Sequence, residues 1–549
     1  MKKFVLLSFI VALAAQGMMS KSITADQAME AALQFANQSE MLKSQDQNSL
    51  QLSYVSRSTD GYTDYYVFNH NTGDGFIIVS GDDRSLPVLG YSDRGSFDFN
   101  RLPANMKWWL SEYQRQLQWL RTHKGAAVRD TKALTSSVSP LISTQWDQIS
   151  PFNKFCPSVS DGPGGHALTG CLATAMAQLM KYHEHPARGA GDHSYSFYLY
   201  NQEVTLSADF SQSVYNWDQM LDSYWNGYNT TQADAVARLM SDVGISIDME
   251  YGPGWSSALY IKAIEALIAY FDYSPAASFL LKDSYHDDWD NLLRSEIDAQ
   301  RPIFYFGQTG YDYGYEGHAF VVDGYDNRGY FHINWGWGGD CDGYFVSDLF
   351  TPEYQHSAFD EGYNTSQGAI VNIEPDTSGA GGLVLKSVII PAAATMPAND
   401  VRVTVDVEAV GGPYEGELYM AIAEKTGEGY YSWSNVMFGN VSLSAGERKT
   451  LQFSGSYYLE EGKTYYLFLI NPYNHVSNYL WCDAVPFTVG DWPIMPGDVN
   501  GDGKVAIDDV TALIDYLTSS GSGNMAADVN GDSKVAIDDV TALIDLLLQ

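Results

Sequence analysis

Apolar and polar positions alternate along this chain with two different periods. ITADQAMEAALQFANQ (23–38) and MKWWLSEYQRQLQWLR (106–121) carry apolar residues at helical spacing and predict two amphipathic helices. Between them, YYVFNH (65–70), GFIIVSG (75–81) and LPVLGYSD (86–93) read as short strands separated by Gly and Asp turns. The stretch 121–139, RTHKGAAVRDTKALTSSVS, has no periodicity and reads as an exposed linker of the kind where proteolytic nicking concentrates. Residues 383–490 alternate in short runs such as LVLKSVII, VRVTVDVEAV and TYYLFLIN, the pattern of a β-sandwich of about 100 residues. SGAGG at 378–382 is a flexible joint before it.

The chain has 549 residues, long enough for about three or four domains. With 45% apolar and 18% charged residues it builds ordinary cores. A net charge of −36 makes nucleic acid and anionic membranes poor partners. At the N-terminus, Lys2 and Lys3 precede an apolar run from Phe4 to Ala15, too short to span a bilayer. Residues 1–20 therefore read as a secretory signal, and no later run is long enough to cross a membrane. Export to an oxidising space makes the four cysteines, Cys156, Cys171, Cys341 and Cys482, informative. Cys156 and Cys341 flank the richest segment and have the option of pairing, which geometry decides.

In LTGCLATAMAQLMKYH, Gly170 breaks the chain just before a helix-forming run, so Cys171 falls at a helix N-terminus. Orphan N–H groups and the helix dipole there favour a thiolate. Leu172, Ala175, Met176 and Leu179 form the stripe that buries this helix. His318, in YGYEGHAFVVDGYD, stands at the start of a β-run about 150 residues later. GYFHINWGWGGDCDGYF then offers Asn334 and Trp335 as the group that orients an imidazole; being adjacent on a strand, only one of them faces His318. His183 and His185 lie two apart after a helix, a spacing that does not make a zinc site.

TQWDQISPFN, TGCLATAMAQLMKYH, GHAFVVDGYD and HINWGWGG together resemble the motif set of the streptopain family, secreted bacterial cysteine peptidases with a papain-like fold. YYVFNHNTGDGFIIVSGDDRSLPVLGYSD is similar to that family's inhibitory pro-domain. The resemblance implies Cys171 as nucleophile, His318 as general base and acid, and Gln148 as a side-chain donor to the oxyanion. It also implies Trp335 packing against the His318 region, with an apolar preference one residue before the cleaved position. The bottom-up reading leaves Asn334 open. Catalysis needs no cofactor.

The last 60 residues hold a repeat of period 30: DVNGDGKVAIDDVTALIDYL (498–517) and DVNGDSKVAIDDVTALIDLL (528–547). Oxygen donors at loop positions 1, 3, 5 and 12 are Asp498, Asn500, Asp502 and Asp509, then Asp528, Asn530, Asp532 and Asp539. With main-chain carbonyls at Lys504 and Lys534, each loop has the donor spacing of an EF-hand-like calcium site, so two structural ions are expected. Ile507, Val510, Ile514 and Leu517 give the following helix an apolar stripe. Ser533 replaces the turn glycine of the first loop, Gly503, which predicts weaker binding at the second. Paired loops of this kind resemble dockerin type I modules, which implies a cohesin-type partner.

The expected architecture is a signal (1–20), an α+β pro-domain and linker (21–132), an α+β papain-like peptidase (133–377), a β-sandwich (378–490) and a small α-helical calcium module (491–549). The lead expectation is a secreted cysteine endopeptidase zymogen acting on proteins or peptides and held by its own pro-domain. Two alternatives use the same chain: a catalytically idle extracellular assembly protein, and a thiol acyltransferase.

Overall fold

The computed structural model describes residues 22–38, 50–70, 75–123, 134–308 apart from 275 and 286, 317–350, 367–377, most of 382–470, 479–490, 497–500, 504–518, 525–530 and 534–548. The expected signal, activation linker and most of the SGAGG joint lie outside them. The chain divides into two compact units, Met1–Ser378 and Gly379–Gln549.

In the first unit, helix α1 (Ala25–Gln38) buries Ala28, Ala32 and Ala36, one residue per turn, and precedes strands β1 (Leu50–Arg57), β2 (Thr63–His70), β3 (Phe76–Ser80) and β4 (Val88–Ser92). Helix α2 (Ala104–Thr122) follows. Further on come α3 (Cys171–His183), the hairpin β5 (Asp192–Leu199) and β6 (Gln202–Asp209), and α4 (Thr230–Ser246). Next are α5 (Ile261–Tyr270), β7 (Ser278–Leu281), α6 (Trp289–Asp298) and β8 (Ile303–Gln308). Last are β9 (Gly317–Tyr325), β10 (Phe331–Asn334), β11 (Gly343–Phe345) and β12 (Gln367–Val371).

The N-terminal strands do not form a sheet of their own. One ten-stranded sheet runs β1-β2-β3-β4-β11-β10-β9-β8-β12-β7, with β4 pairing antiparallel to β11 through Tyr91↔Tyr344 and Gly90↔Phe345. Side chains fasten the seam. Tyr113 of α2 donates its hydroxyl toward Leu89 O (2.9 Å) and Val346 O (2.7 Å), one on each side. Ser92 Oγ donates to Asp342 O at 2.6 Å, and the Tyr91 and Tyr344 rings stack at 5.3 Å. Helix α2 is buried well beyond a single stripe, including Trp108, Trp109, Glu112, Tyr113 and Gln116, because it packs on β9 while also covering the N-terminal strands. Helix α3 is buried on every side between β9 and α4.

The second unit contains two sheets. One holds β13 (Gly382–Val384), β16 (Val401–Val410) and β14 (Ile390–Pro391), with β19 (Arg448–Gly455) on β16. The other runs β15 (Thr395–Met396), β21 (Tyr479–Val489), β20 (Thr464–Ile470), β17 (Tyr414–Gly427), β18 (Tyr430–Leu443). Val403, Val405 and Phe453 from the first share one core with Met420, Ile422, Leu467 and Phe487 from the second. In the repeats, α7 (Ile507–Thr518) and α8 (Ile537–Leu547) meet through Val510, Leu513, Val540 and Leu543. Of the apolar stripe, Val510 is buried and Leu517 packs against this core. Ile507 and Ile514 are exposed, as are Ile537 and Ile544, because each helix turns Val and Leu toward its twin.

Candidate active site

Cys171 is the first residue of α3. Gly170 precedes it at φ +88°, a conformation that favours glycine, and a Cβ there would lie 2.6 Å from Met249 Cε and push that flexible side chain aside. The Cys171 Sγ accepts the backbone N–H of Ala319 at 3.4 Å. This contact places the sulfur beside the residue that follows His318 on β9.

The two faces of β9 separate the remaining candidates. Residue pairs opposite each other in an antiparallel ladder share a face. His318 is opposite Gly307 of β8, and the Trp108 ring of α2 fills the space above Gly307, 2.0 Å from where a Cβ would stand. Trp335 follows β10 and is fully buried, its ring 5.0 Å from Phe320 and 6.1 Å from Trp109. Phe320 is two residues from His318, so Trp335 belongs to the His318 face. Asn334 turns the other way. Its Oδ1 accepts from Gln178 Nε2 of α3 (3.1 Å) and from Gly336 N (2.9 Å), and its Nδ2 donates to Thr144 O (2.7 Å). Asn334 thus ties α3 to the strand.

Gln148 is buried; its backbone O accepts from Thr169 N (3.2 Å), two residues before Cys171. The loop carrying it is zipped to the glycine loop after β10, since Gly338 N donates to Trp146 O at 2.9 Å. Gly338 sits at φ +67°, with the exposed Trp225 ring against it and the Trp225 indole N–H donating to Gly338 O (2.8 Å). Gly338 serves close packing within the protein.

At the thiol, burial and the helix N-terminus act in opposite directions. Burial pushes the Cys171 thiol above its ordinary value, more than the N–H groups of Ala319, Leu172 and Cys171 pull it down. Burial also lowers His318 to about 4. Both shifts work against the charged form of each group. The helix N-terminus is present as expected, but desolvation wins over it. Asn105, three residues before Trp108 and missed by sequence reasoning, donates Nδ2 to Trp335 O (2.5 Å) and lies 3.5 Å from Ala319 O. Its only advance signal was its place at the start of an apolar helix.

Cys156 and Cys341 are both buried free thiols and do not pair. Burial raises each to about 12. His183 is half-buried, which lowers it to about 4, and His185 Nε2 meets Asp272 O at 2.9 Å. Among the described residues no three metal-binding side chains gather.

In the repeats, Asp509 and Asp539 are fully buried. Asp509 accepts the N–H of Asn500 (3.0 Å) and Ala506 (2.8 Å); Asp539 accepts those of Val529 (2.8 Å), Asn530 (3.1 Å) and Ala536 (2.8 Å). Each carboxylate therefore closes its loop from position 12. Asp498, Asn500 and Lys504, with Asp528, Asn530 and Lys534, are described; Asp502 and Asp532 lie outside the described residues. A buried carboxylate in an all-oxygen donor set fits a hard divalent cation.

Residues 146–345 match the Peptidase C10 family, residues 20–117 the Spi protease inhibitor and residues 496–548 the Dockerin type I domain. Streptopain of Streptococcus pyogenes is 36% identical over 328 residues, 56% of this chain and 80% of its own length. The chain belongs to the peptidase C10 family, and is a cysteine peptidase with an inhibitor-type N-terminal segment. The C10 peptidase is also 31% identical to the thiol protease/hemagglutinin PrtT of Porphyromonas gingivalis, covering 66% of this chain but only 43% of that relative. A fragment of prointerpain A from Prevotella intermedia, a cysteine-to-alanine variant, matches at 30% identity and a TM-score of 0.50, over 60% of this chain and 99% of the fragment. Among the described residues no helix is long and apolar enough to cross a membrane.

Proposed function

We propose that the chain is a secreted cysteine endopeptidase made as a zymogen, with residues 1–20 as signal, 21–132 as pro-segment and linker, 133–377 as catalytic domain, 378–490 as sandwich and 491–549 as calcium module. The contact between Cys171 Sγ and the N–H of the residue after His318 carries the reading. Removal of α2 takes the Trp108 ring off the His318 face, rehydrates the imidazole and lets the thiol pass its proton to His318. The thiolate attacks a peptide carbonyl, and Gln148 with the Cys171 N–H stabilises the oxyanion. His318 protonates the leaving amine; water, deprotonated by His318, then hydrolyses the thioester and restores the thiol. Trp335 backs the His318 face, and Asn334 holds β10 to α3. Calcium in the two terminal loops would be held by Asp498, Asn500, Asp502, the Lys504 carbonyl and Asp509, and by their repeats Asp528, Asn530, Asp532, Lys534 and Asp539; bound there, it neutralises the clustered carboxylates. The exposed Ile507 and Ile514, repeated at Ile537 and Ile544, support a cohesin-type partner for this module.

The test is hydrolysis of a quenched peptide by the processed enzyme. Cys171→Ala and His318→Ala abolish turnover, and Gln148→Ala lowers kcat by about 10²–10³. Turnover surviving Cys171→Ala refutes the reading.

A further inference from the structure

The proposed oxyanion donor, Gln148, reaches its task from a loop, and a glutamine side chain has three freely rotating bonds. Something must fix the main chain beneath it. Gln148 N donates to Asp147 Oδ1 at 2.6 Å, and the N–H of Ile149 bonds the same carboxylate. One side chain thus clamps two successive peptide groups. The clamp is itself held on both sides. Trp146 is fully buried, its indole N–H on Leu221 O (2.8 Å). The other carboxylate oxygen, Oδ2, lies 3.2 Å from the point where a Gly338 Cβ would stand, so any larger residue at 338 would press on it. Burial and the neighbouring Asp340 both work against charge on Asp147, and the fold keeps the carboxylate there nonetheless.

We propose that Asp147 is a positioning residue for the peptidase reaction: through the Gln148 and Ile149 amides it holds the Gln148 side chain on the developing oxyanion. The inference rests on the oxyanion role proposed for Gln148. Asp147 touches no reacting atom, so its effect passes entirely through Gln148. It belongs to kcat, where transition-state charge is stabilised, and leaves substrate binding and thiol reactivity alone.

The experiment compares full-length chains carrying Asp147→Ala, Asp147→Asn, Asp147→Ser, Gln148→Ala and Asp147→Ala with Gln148→Ala, each processed in trans by immobilised unmutated enzyme. Asp147→Ala should lower kcat by about 10–100-fold with KM within about twofold, as expected when one oxyanion donor loses its aim. Asp147→Asn, which keeps an acceptor at the same atom, should recover most of the loss. In the Gln148→Ala background, Asp147→Ala should cost no more than about twofold, because the two substitutions remove one function. Alkylation of Cys171 by iodoacetamide should proceed at the unmutated rate throughout. Should Asp147→Ala fail to fold, Asp147→Ser, which bridges only one amide, takes its place and should show a smaller loss confined to kcat. Additive losses in the double variant, an Asn variant as damaged as the Ala one, or slowed alkylation overturn the proposal. An unchanged kcat in Gln148→Ala overturns the oxyanion reading itself, whereas a large loss there with none in Asp147→Ala overturns the positioning role alone.

Discussion

Glu112 gives the grip of the N-terminal segment a pH dependence of defined sign. It lies on α2, only 3% exposed, with Oε1 accepting from Arg115 Nη1 at 2.6 Å and Oε2 buried without a hydrogen-bond partner among the described residues. Facing it are Arg115 on its own helix, and Lys282 and Asp348, which pair at 3.0 Å across the contact. Burial, the largest influence, raises Glu112 from an ordinary 4.5 to about 7; Arg115 and Lys282 oppose this, and Asp348 adds to it. A carboxyl group raised by folding is protonated in the native state and ionised in the unfolded chain across this interval. The unfolded state therefore gains stability as pH rises past 4.5, and the loss to the native state is complete above about 7. Two and a half pH units correspond to about 3.4 kcal/mol at about 1.4 kcal/mol per unit. Glu112→Gln removes the titration while keeping the shape. In a Cys171→Ala background, which prevents self-cleavage, urea unfolding followed by tryptophan fluorescence at pH 4 and pH 8 measures the effect. The Glu112→Gln chain should gain about 3 kcal/mol on its parent between the two pH values. A difference that stays constant across this range would refute the reasoning.

Four further outcomes follow from the same geometry. Trp108→Ala empties the space over Gly307 and, at about 3–5 kcal/mol for a buried aromatic, should speed self-processing severalfold, read by gel densitometry. Iodoacetamide should alkylate Cys171 slowly in the intact chain and much faster after the N-terminal segment is removed, while Cys156 and Cys341 stay slow in both; peptide mapping by mass reports all three. Chelation should melt the pair of repeat helices, seen as lost far-ultraviolet circular dichroism in the full chain and restored by added calcium. In calorimetric titrations of Asp509→Ala and Asp539→Ala, the chain keeping only the second loop should bind calcium more weakly, and equal affinities would count against the Ser533 argument.

The legible parts were those fixed by local geometry. Gly170 before an apolar run placed Cys171 at a helix start, and the run after Gly317 placed His318 at a strand start. The period of two required Asn334 and Trp335 to part company, but which one faced His318 depended on β9, and only the folded sheet revealed it. The seam between β4 and β11 joins residues about 250 positions apart, a pairing that periodicity does not carry. For the same reason the burial of the Cys171 thiol was not legible. The helix N-terminus is encoded beside Cys171, whereas the burial that outweighs it comes from the tertiary fold around the sulfur. In the repeats the apolar stripe was legible but its buried part was not, because the helices bury only the face toward each other, with Val510 and Leu517 inside and Ile507 and Ile514 outside.

The central claim is that Cys171 cuts peptide bonds once the N-terminal segment lets go. It is tested most directly by following the intact mass of the reduced full chain over time beside Cys171→Ala. The account predicts that the unmutated chain sheds a fragment ending within 124–132, that Cys171→Ala stays whole alone, and that it is trimmed at the same bond when a trace of unmutated enzyme is added. Equal processing of both chains on their own, or a Cys171→Ala chain that resists the unmutated enzyme while the unmutated chain also stays whole, would contradict it.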